Sequence, residues 1–181
     1  MAKALQLKIV VKDSKPPIWR RFLVPESITF HKLHQIIQIV MGWENYHLYE
    51  FSAKGLSIQK PDEDTWEEVT DSRKIRLGDV VKAEKFRFYY MYDFGDGWEH
   101  SVIVEKILEA GNLQLPLCIA GKMACPAEDS GGIWGYQELL EIKRDKNHPR
   151  YRELIVNWLG EDFDPEKLDI DSMNRKLNKM I

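Results

Sequence analysis

Phe86-Arg-Phe-Tyr-Tyr-Met-Tyr92, Asp93-Phe-Gly-Asp-Gly-Trp-Glu-His100 and Ser101-Val-Ile-Val-Glu-Lys-Ile-Leu108 run consecutively, and their reading decides the fold. The first run alternates and is rich in aromatics, which suits a pleated, half-buried strand. The third alternates in the same way and predicts its antiparallel partner. Asp93–His100 joins them, and its Asp and Gly residues tolerate positive φ and cap turns. The connection is longer than a minimal hairpin turn needs.

Outward from this hairpin the same period recurs. Leu5, Leu7, Ile9 and Val11 predict a strand with one buried face. Asp13-Ser-Lys-Pro-Pro17 is a turn, and Ile18–Val24 the antiparallel return, ended by Pro25. His47–Ser52 reads as a strand, Lys54-Gly55 as a turn and Leu56–Gln59 as a short strand. Thr29 is placed to cap a helix carrying Phe30, Leu33, Ile36, Ile37, Val40 and Met41 at helical spacing, which Gly42 stops. Leu77–Val81 is a short turn or helix. Pro116–Gly135 reads as irregular, and loops of that length usually carry function. Tyr136–Arg144, Arg150–Leu159 and Pro165–Lys179 read as helices.

The expected fold is therefore α+β: one domain over residues 1–181, a mostly antiparallel sheet, one N-terminal helix and a C-terminal group of about three helices. The chain is 181 residues long, 44% hydrophobic and 30% charged, enough to bury a core. No apolar run approaches the roughly 20 residues of a membrane span. The N-terminus alternates rather than forming a signal peptide's apolar region. A cytoplasmic protein without membrane contact is expected. Cys118 and Cys125 are too few for a disulfide scaffold and read as buried apolar thiols.

The net charge of −3 gives no support to non-specific nucleic-acid binding. The basic residues of Lys143–Lys146 and Arg150–Arg152 are interleaved with acids, as on a solvated helix face. A protein or small ligand is the expected partner.

Two loops carry the unusual chemistry, Asp93–His100 and Cys125–Tyr136. Their Gly, Asp and Trp content predicts that Asp93–His100 and Glu128–Tyr136 lie against each other. Asp93, Asp96 and His100 are candidate metal ligands, since carboxylates with imidazole suit Zn²⁺, Mn²⁺ or Fe²⁺. With Glu128 and Asp129 they are also the catalytic candidates of a metal-assisted hydrolase. The other reading of Asp93, Asp96 and His100 is structural, two turn caps and a cross-hairpin bond. Tyr92, Trp98, Trp134 and Tyr136 are candidate ligand-binding aromatics, and they favour a binding module over an enzyme. The residue types specify no cofactor, and a divalent metal is compatible with them.

Other signals are weaker. Asp93-Phe-Gly95 lacks the companion motifs of a kinase, and Gly131-Gly-Ile-Trp-Gly135 lacks the Gly-Lys-Ser/Thr of a phosphate loop. His31 and His34 stand three apart without a third ligand and read as surface or rim residues. Pro61–Glu68 is acidic but lacks the calcium-loop spacing, so it reads as a solvated loop. A Cys125–His100 nucleophile pair has no orienting partner in the sequence.

Tyr90-x-Tyr-Asp-Phe-Gly-Asp-x-Trp-x-His100 and Cys125-Pro-x-Glu-Asp-x-Gly-Gly-x-x-Gly-Tyr136 resemble the plasmid pRiA ORF-three-like family of uncharacterised proteins. Pro17-Ile-Trp-Arg-Arg, Trp43-x-x-x-His47-Leu-Tyr-x-Phe51 and Phe163-Asp-Pro-Glu-Lys-Leu-Asp-x-Asp-x-x-Asn174 extend the likeness over nearly the whole chain. Many relatives carry Pro-Pro-Glu-Asp where this chain has Pro126-Ala-Glu-Asp129, and some carry Cys or Val in place of Ser130. The resemblance implies an α+β domain found on plasmids and near insertion elements as well as on ordinary chromosomes. A nucleic-acid accessory role follows from that setting alone.

Overall fold

The computed structural model describes residues 2–61 and 68–180. The acidic stretch 62–67 lies outside them. The fold is α+β, built on one eight-stranded sheet. Its strands are β1 (Lys3–Val11), β2 (Trp19–Pro25), β3 (Tyr49–Ala53), β4 (Leu56–Gln59), β5 (Thr70–Asp71), β6 (Arg87–Tyr92), β7 (Trp98–Glu109) and β8 (Leu117–Lys122). Their order is β5-β4-β3-β6-β7-β1-β2-β8, antiparallel throughout except for β4–β5.

The central hairpin pairs as its alternation requires, from Arg87 opposite Ile103 to Tyr92 opposite Trp98. Phe88, Tyr90 and Tyr92 are buried while Tyr89 points out. Helix α1 (Phe30–Met41) lays its apolar stripe on the sheet, with the Phe30 ring edge-on to Phe51 at 5.1 Å and to Phe88 at 5.9 Å. Burying each such side chain stabilises by roughly 1.5–3 kcal/mol before entropy is counted. Thr29 Oγ1 caps α1 by accepting from Lys32 N, and Gly42 ends it with φ +106°. Arg20, fully buried on β2, donates from Nε to Val40 O at 2.7 Å and from Nη1 to Lys122 O at 2.9 Å. It thereby ties the end of α1 to the last strand.

Further helices are the short α2 (Leu77–Val80), α3 (Gly132–Arg144), a π-helix (Arg152–Leu159) and α4 (Ile170–Asn178). The C-terminal group of three is thus present, with two adjustments. Arg152–Leu159 is wound with i→i+5 bonds and closed by Gly160 N on Ile155 O. The last helix begins only at Ile170, because Asp169 caps it by accepting from Ser172 N.

Pro116–Gly135 is not irregular throughout. Leu117–Lys122 forms β8 on the edge beside β2, and Gly132 already opens α3. Asn174 on α4 covers that edge, accepting from Cys118 N at 2.8 Å and donating to Cys118 O at 2.9 Å, which blunts it against further pairing. His34 corrects a second expectation. It is buried rather than at the surface, stacked on Tyr49 with centroids 3.6 Å apart.

Candidate functional site

The β6–β7 connection turns tightly because Asp93 takes φ +57° and Gly97 φ +68°, closed by Gly97 N on Asp93 O. Asp93 Oδ1 accepts from Gly95 N at 3.0 Å and from Asp96 N at 3.3 Å. The turn-cap role read from sequence is real, but it occupies only one oxygen. Oδ2 faces His47 Nε2 at 3.6 Å.

The second loop reaches the first. Asp96 Oδ2 accepts from Gly131 N at 3.0 Å. A Cβ on Gly132 would overlap Asp96 O, so only glycine lets the loops approach this closely. Glu128 Oε1 accepts from Glu44 N at 2.7 Å and from the Tyr92 hydroxyl at 3.0 Å. Its Oε2 has no hydrogen-bond partner among the described residues and lies 3.7 Å from His47 Nε2. Asp129, at φ +56° and 69% exposed in its side chain, brings Oδ1 to 3.1 Å from the same nitrogen.

His47 is the residue that sequence reasoning missed. It stands just before β3, far in sequence from both loops, and no ligand spacing links it to them. Its loop is held on three sides. Tyr46 N donates to the Tyr92 hydroxyl, Asn45 N donates to Gln38 Oε1, and Asn45 Oδ1 meets His34 Nε2 at 2.7 Å. Burial pushes His34 down to about 4, so the ring is neutral. With Asn45 Oδ1 accepting, Nε2 carries the proton and Nδ1 accepts from the Tyr90 hydroxyl at 2.8 Å. That hydroxyl in turn accepts from Gln38 Nε2 at 2.9 Å, and the network closes.

His47, Asp93 and Asp129 each offer one ligand atom, all within 4.8 Å of one another. Three carboxylate oxygens surround His47 Nε2, yet that nitrogen makes no hydrogen bond among the described residues. Ligands about 2.1 Å from a common ion lie roughly 3.0–3.4 Å apart. His47 Nε2 stands 3.1 Å from Asp129 Oδ1 and 3.6 Å from Asp93 Oδ2, so the three atoms would have to draw together slightly to share one ion. A donor set of one imidazole and carboxylates suits Mn²⁺, Fe²⁺ or Zn²⁺.

Of the sequence candidates, Asp93, Glu128 and Asp129 converge. Asp96 instead bridges the loops through Gly131. His100 is excluded: it is buried in the core against Trp43 and Tyr90, with Nδ1 at 2.9 Å from Trp98 O. Burial pushes it down to about 4. Tyr92, Trp98 and Tyr136 are core residues, not a binding surface, while Trp134 is 71% exposed. Burial raises the thiols of Cys118 and Cys125, so neither is a poised nucleophile.

The sequence model of the plasmid pRiA4b ORF-3-like protein family matches residues 3–172. The uncharacterized protein y4hQ of Sinorhizobium fredii is 35% identical over 182 residues, covering 99% of this chain and 93% of that protein. A crystal structure of a protein of unknown function from Methanosarcina mazei Go1 superposes with a TM-score of 0.85 at 40% identity, covering 94% of this chain and 97% of that one.

Proposed function

The chain belongs to the plasmid pRiA4b ORF-3-like family, and we propose for it a divalent-cation centre, held by His47, Asp93 and Asp129, that serves metal-assisted hydrolysis. One observation carries the reading: His47 Nε2 lies among three carboxylate oxygens and donates to none of them. An unpaired buried donor or acceptor costs about 1–3 kcal/mol, and a cation held by His47 removes that cost at its Nε2.

The exposed side chain of Asp129 leaves the site open to water and substrate on that side. A cation held by His47, Asp93 and Asp129 would supply Lewis-acid polarisation of the substrate and a water activated for attack near neutral pH. Glu128 Oε2, unpartnered among the described residues and fixed through Oε1, stands where a general base takes the water proton. The water oxygen bonds to the electrophilic centre, the bond to the leaving group breaks, and the proton passes from Glu128 to the leaving atom. We take the site to work within one domain spanning residues 1–181. Two unpaired cysteines suit a reducing compartment such as the cytoplasm.

A second reading, a binding module for a protein or small ligand, draws support from the exposed Tyr46, Leu48, Phe94 and Trp134 that flank these loops. The test separates the two. Chelator-treated protein is melted with and without Mn²⁺ or Zn²⁺, then assayed on chromogenic ester, amide and phosphodiester substrates. Metal-dependent turnover that Glu128→Gln abolishes supports the hydrolase. A melting shift without turnover favours the module, and no shift removes the centre.

A further inference from the structure

A cleft of about 450 Å³ opens beside Asp129, between the start of α3 and the π-helix. That is large enough for one amino-acid side chain with its flanking amides. One wall is apolar, formed by Leu139, Leu154 and Trp158. Leu154 and Trp158 are four apart on the π-helix, and π-turns recur at functional sites. Ser130 lines the cleft too. It is only 8% exposed, and its hydroxyl has no hydrogen-bond partner among the described residues.

The charge is lopsided. Asp129, Glu138 and Glu153 line the cleft against one cation, Arg150. Arg150 Nη1 lies 3.4 Å from Glu138 Oε1 and its Nε 4.0 Å from Glu153 Oε2. Both pairs are exposed and long, so each contributes little and Arg150 is free to swing away. A ligand that replaces it gains both carboxylates and the half-exposed face of Trp158 for a cation–π contact.

We infer that this cleft is the substrate pocket of the metal centre and takes a lysine or arginine side chain, next to an amide or ester bond held at the cation. The inference rests on the hydrolase reading for its second half only. The apolar wall fits the side chain's methylene stem, the paired carboxylates fit its charged head, and Asp129 stands at the junction of cleft and centre. An acidic side chain in the same place meets Glu138 and Glu153 and is repelled.

The test uses the full-length protein, chelator-treated or loaded with Mn²⁺, and titrates it calorimetrically with Nα-acetyl-arginine amide, Nα-acetyl-leucine amide and Nα-acetyl-glutamate amide. The arginine ligand should bind at least about ten-fold tighter than the glutamate one, a difference of roughly 1.4 kcal/mol. The Glu138→Gln, Glu153→Gln double variant changes two exposed side chains, and should keep the Mn²⁺ melting shift while losing the preference. Trp158→Ala should weaken the arginine ligand and spare the metal shift. Equal binding of all three ligands, or preference for glutamate, overturns the inference while the metal shift stands. Selective arginine binding without any Mn²⁺ shift keeps the pocket and removes the metal centre instead.

Discussion

Asp93 turns Oδ2 toward His47 Nε2 at 3.6 Å while its Oδ1 holds the turn by accepting from Gly95 N and Asp96 N. The carboxylate therefore divides between a structural oxygen and a chemical one. Asp93→Asn keeps an oxygen for the caps, and asparagine tolerates the positive φ at least as well. Asp93→Ala loses both. The alanine variant should cost about 1–2 kcal/mol and lower the melting temperature by several degrees. The asparagine variant should melt within about 0.5 kcal/mol of wild type. Wild type at 100 times the dissociation constant for Mn²⁺ gains about 2.7 kcal/mol, or roughly 5–10 °C. Both variants should lose that shift. Melts of the three proteins with and without Mn²⁺ decide it, and an unchanged shift in Asp93→Asn rejects Asp93 as a ligand.

Acid should weaken the fold through two histidines. His34 and His100 are both pushed from 6.5 to about 4 by burial. The unfolded chain therefore binds more protons than the native one between those values. Stability is full above about pH 6.5 and falls as pH drops toward 4, by on the order of 3 kcal/mol per histidine. Denaturant titrations at pH 7, 5.5 and 4.5 measure the slope. His100→Gln should flatten it by about one proton. An unaltered slope would show that His100 does not contribute.

Arg20 predicts a large loss. Its guanidinium serves the carbonyls of Val40, Met41, Trp19 and Lys122, and among the described residues no carboxylate pairs with it. Arg20→Met keeps the stem and removes every donor, leaving buried acceptors unpaired at about 1–3 kcal/mol each. We expect a loss of at least roughly 3 kcal/mol, read from denaturant midpoints. A loss under about 1 kcal/mol would mean that water replaces the donors.

Much of the fold was legible because period-two alternation and one amphipathic helix leave strong local signals. Phe88, Tyr90 and Tyr92 on β6 and Leu33, Ile37 and Val40 on α1 are cases in point. β8 was not, because Pro116 precedes it, Gly121 interrupts its run and its pairing to β2 is purely tertiary. The acidic half of the site was legible as two dense loops. His47 was not, since only the β3–β6 pairing brings this residue, two positions before Tyr49, beside Asp93. His100 misled in the opposite sense: adjacency to Asp93 and Asp96 in sequence says nothing about the face it takes, and the strand's alternation turns it into the core.

Gly132 tests whether the two loops must touch. It sits at φ +68°, and a Cβ there overlaps the backbone oxygen of Asp96, a clash that no side-chain rotation relieves. Gly97 has the same φ of +68°, and a methyl added there meets no described atom within 4 Å, so it is the matched control. Gly97→Ala should cost only the left-handed backbone penalty, about 1–2 kcal/mol. Gly132→Ala carries the same penalty plus the displacement of one loop from the other, and should lose at least about 2 kcal/mol more. Because Asp129 lies three residues from Gly132 and Asp93 three from Asp96, the same displacement parts the proposed ligands. The Mn²⁺ melting shift should survive in Gly97→Ala and shrink by half or more in Gly132→Ala. Equal melting temperatures and equal metal shifts in the two variants would mean that the loop contact through Asp96 and Gly131 does not hold the site together.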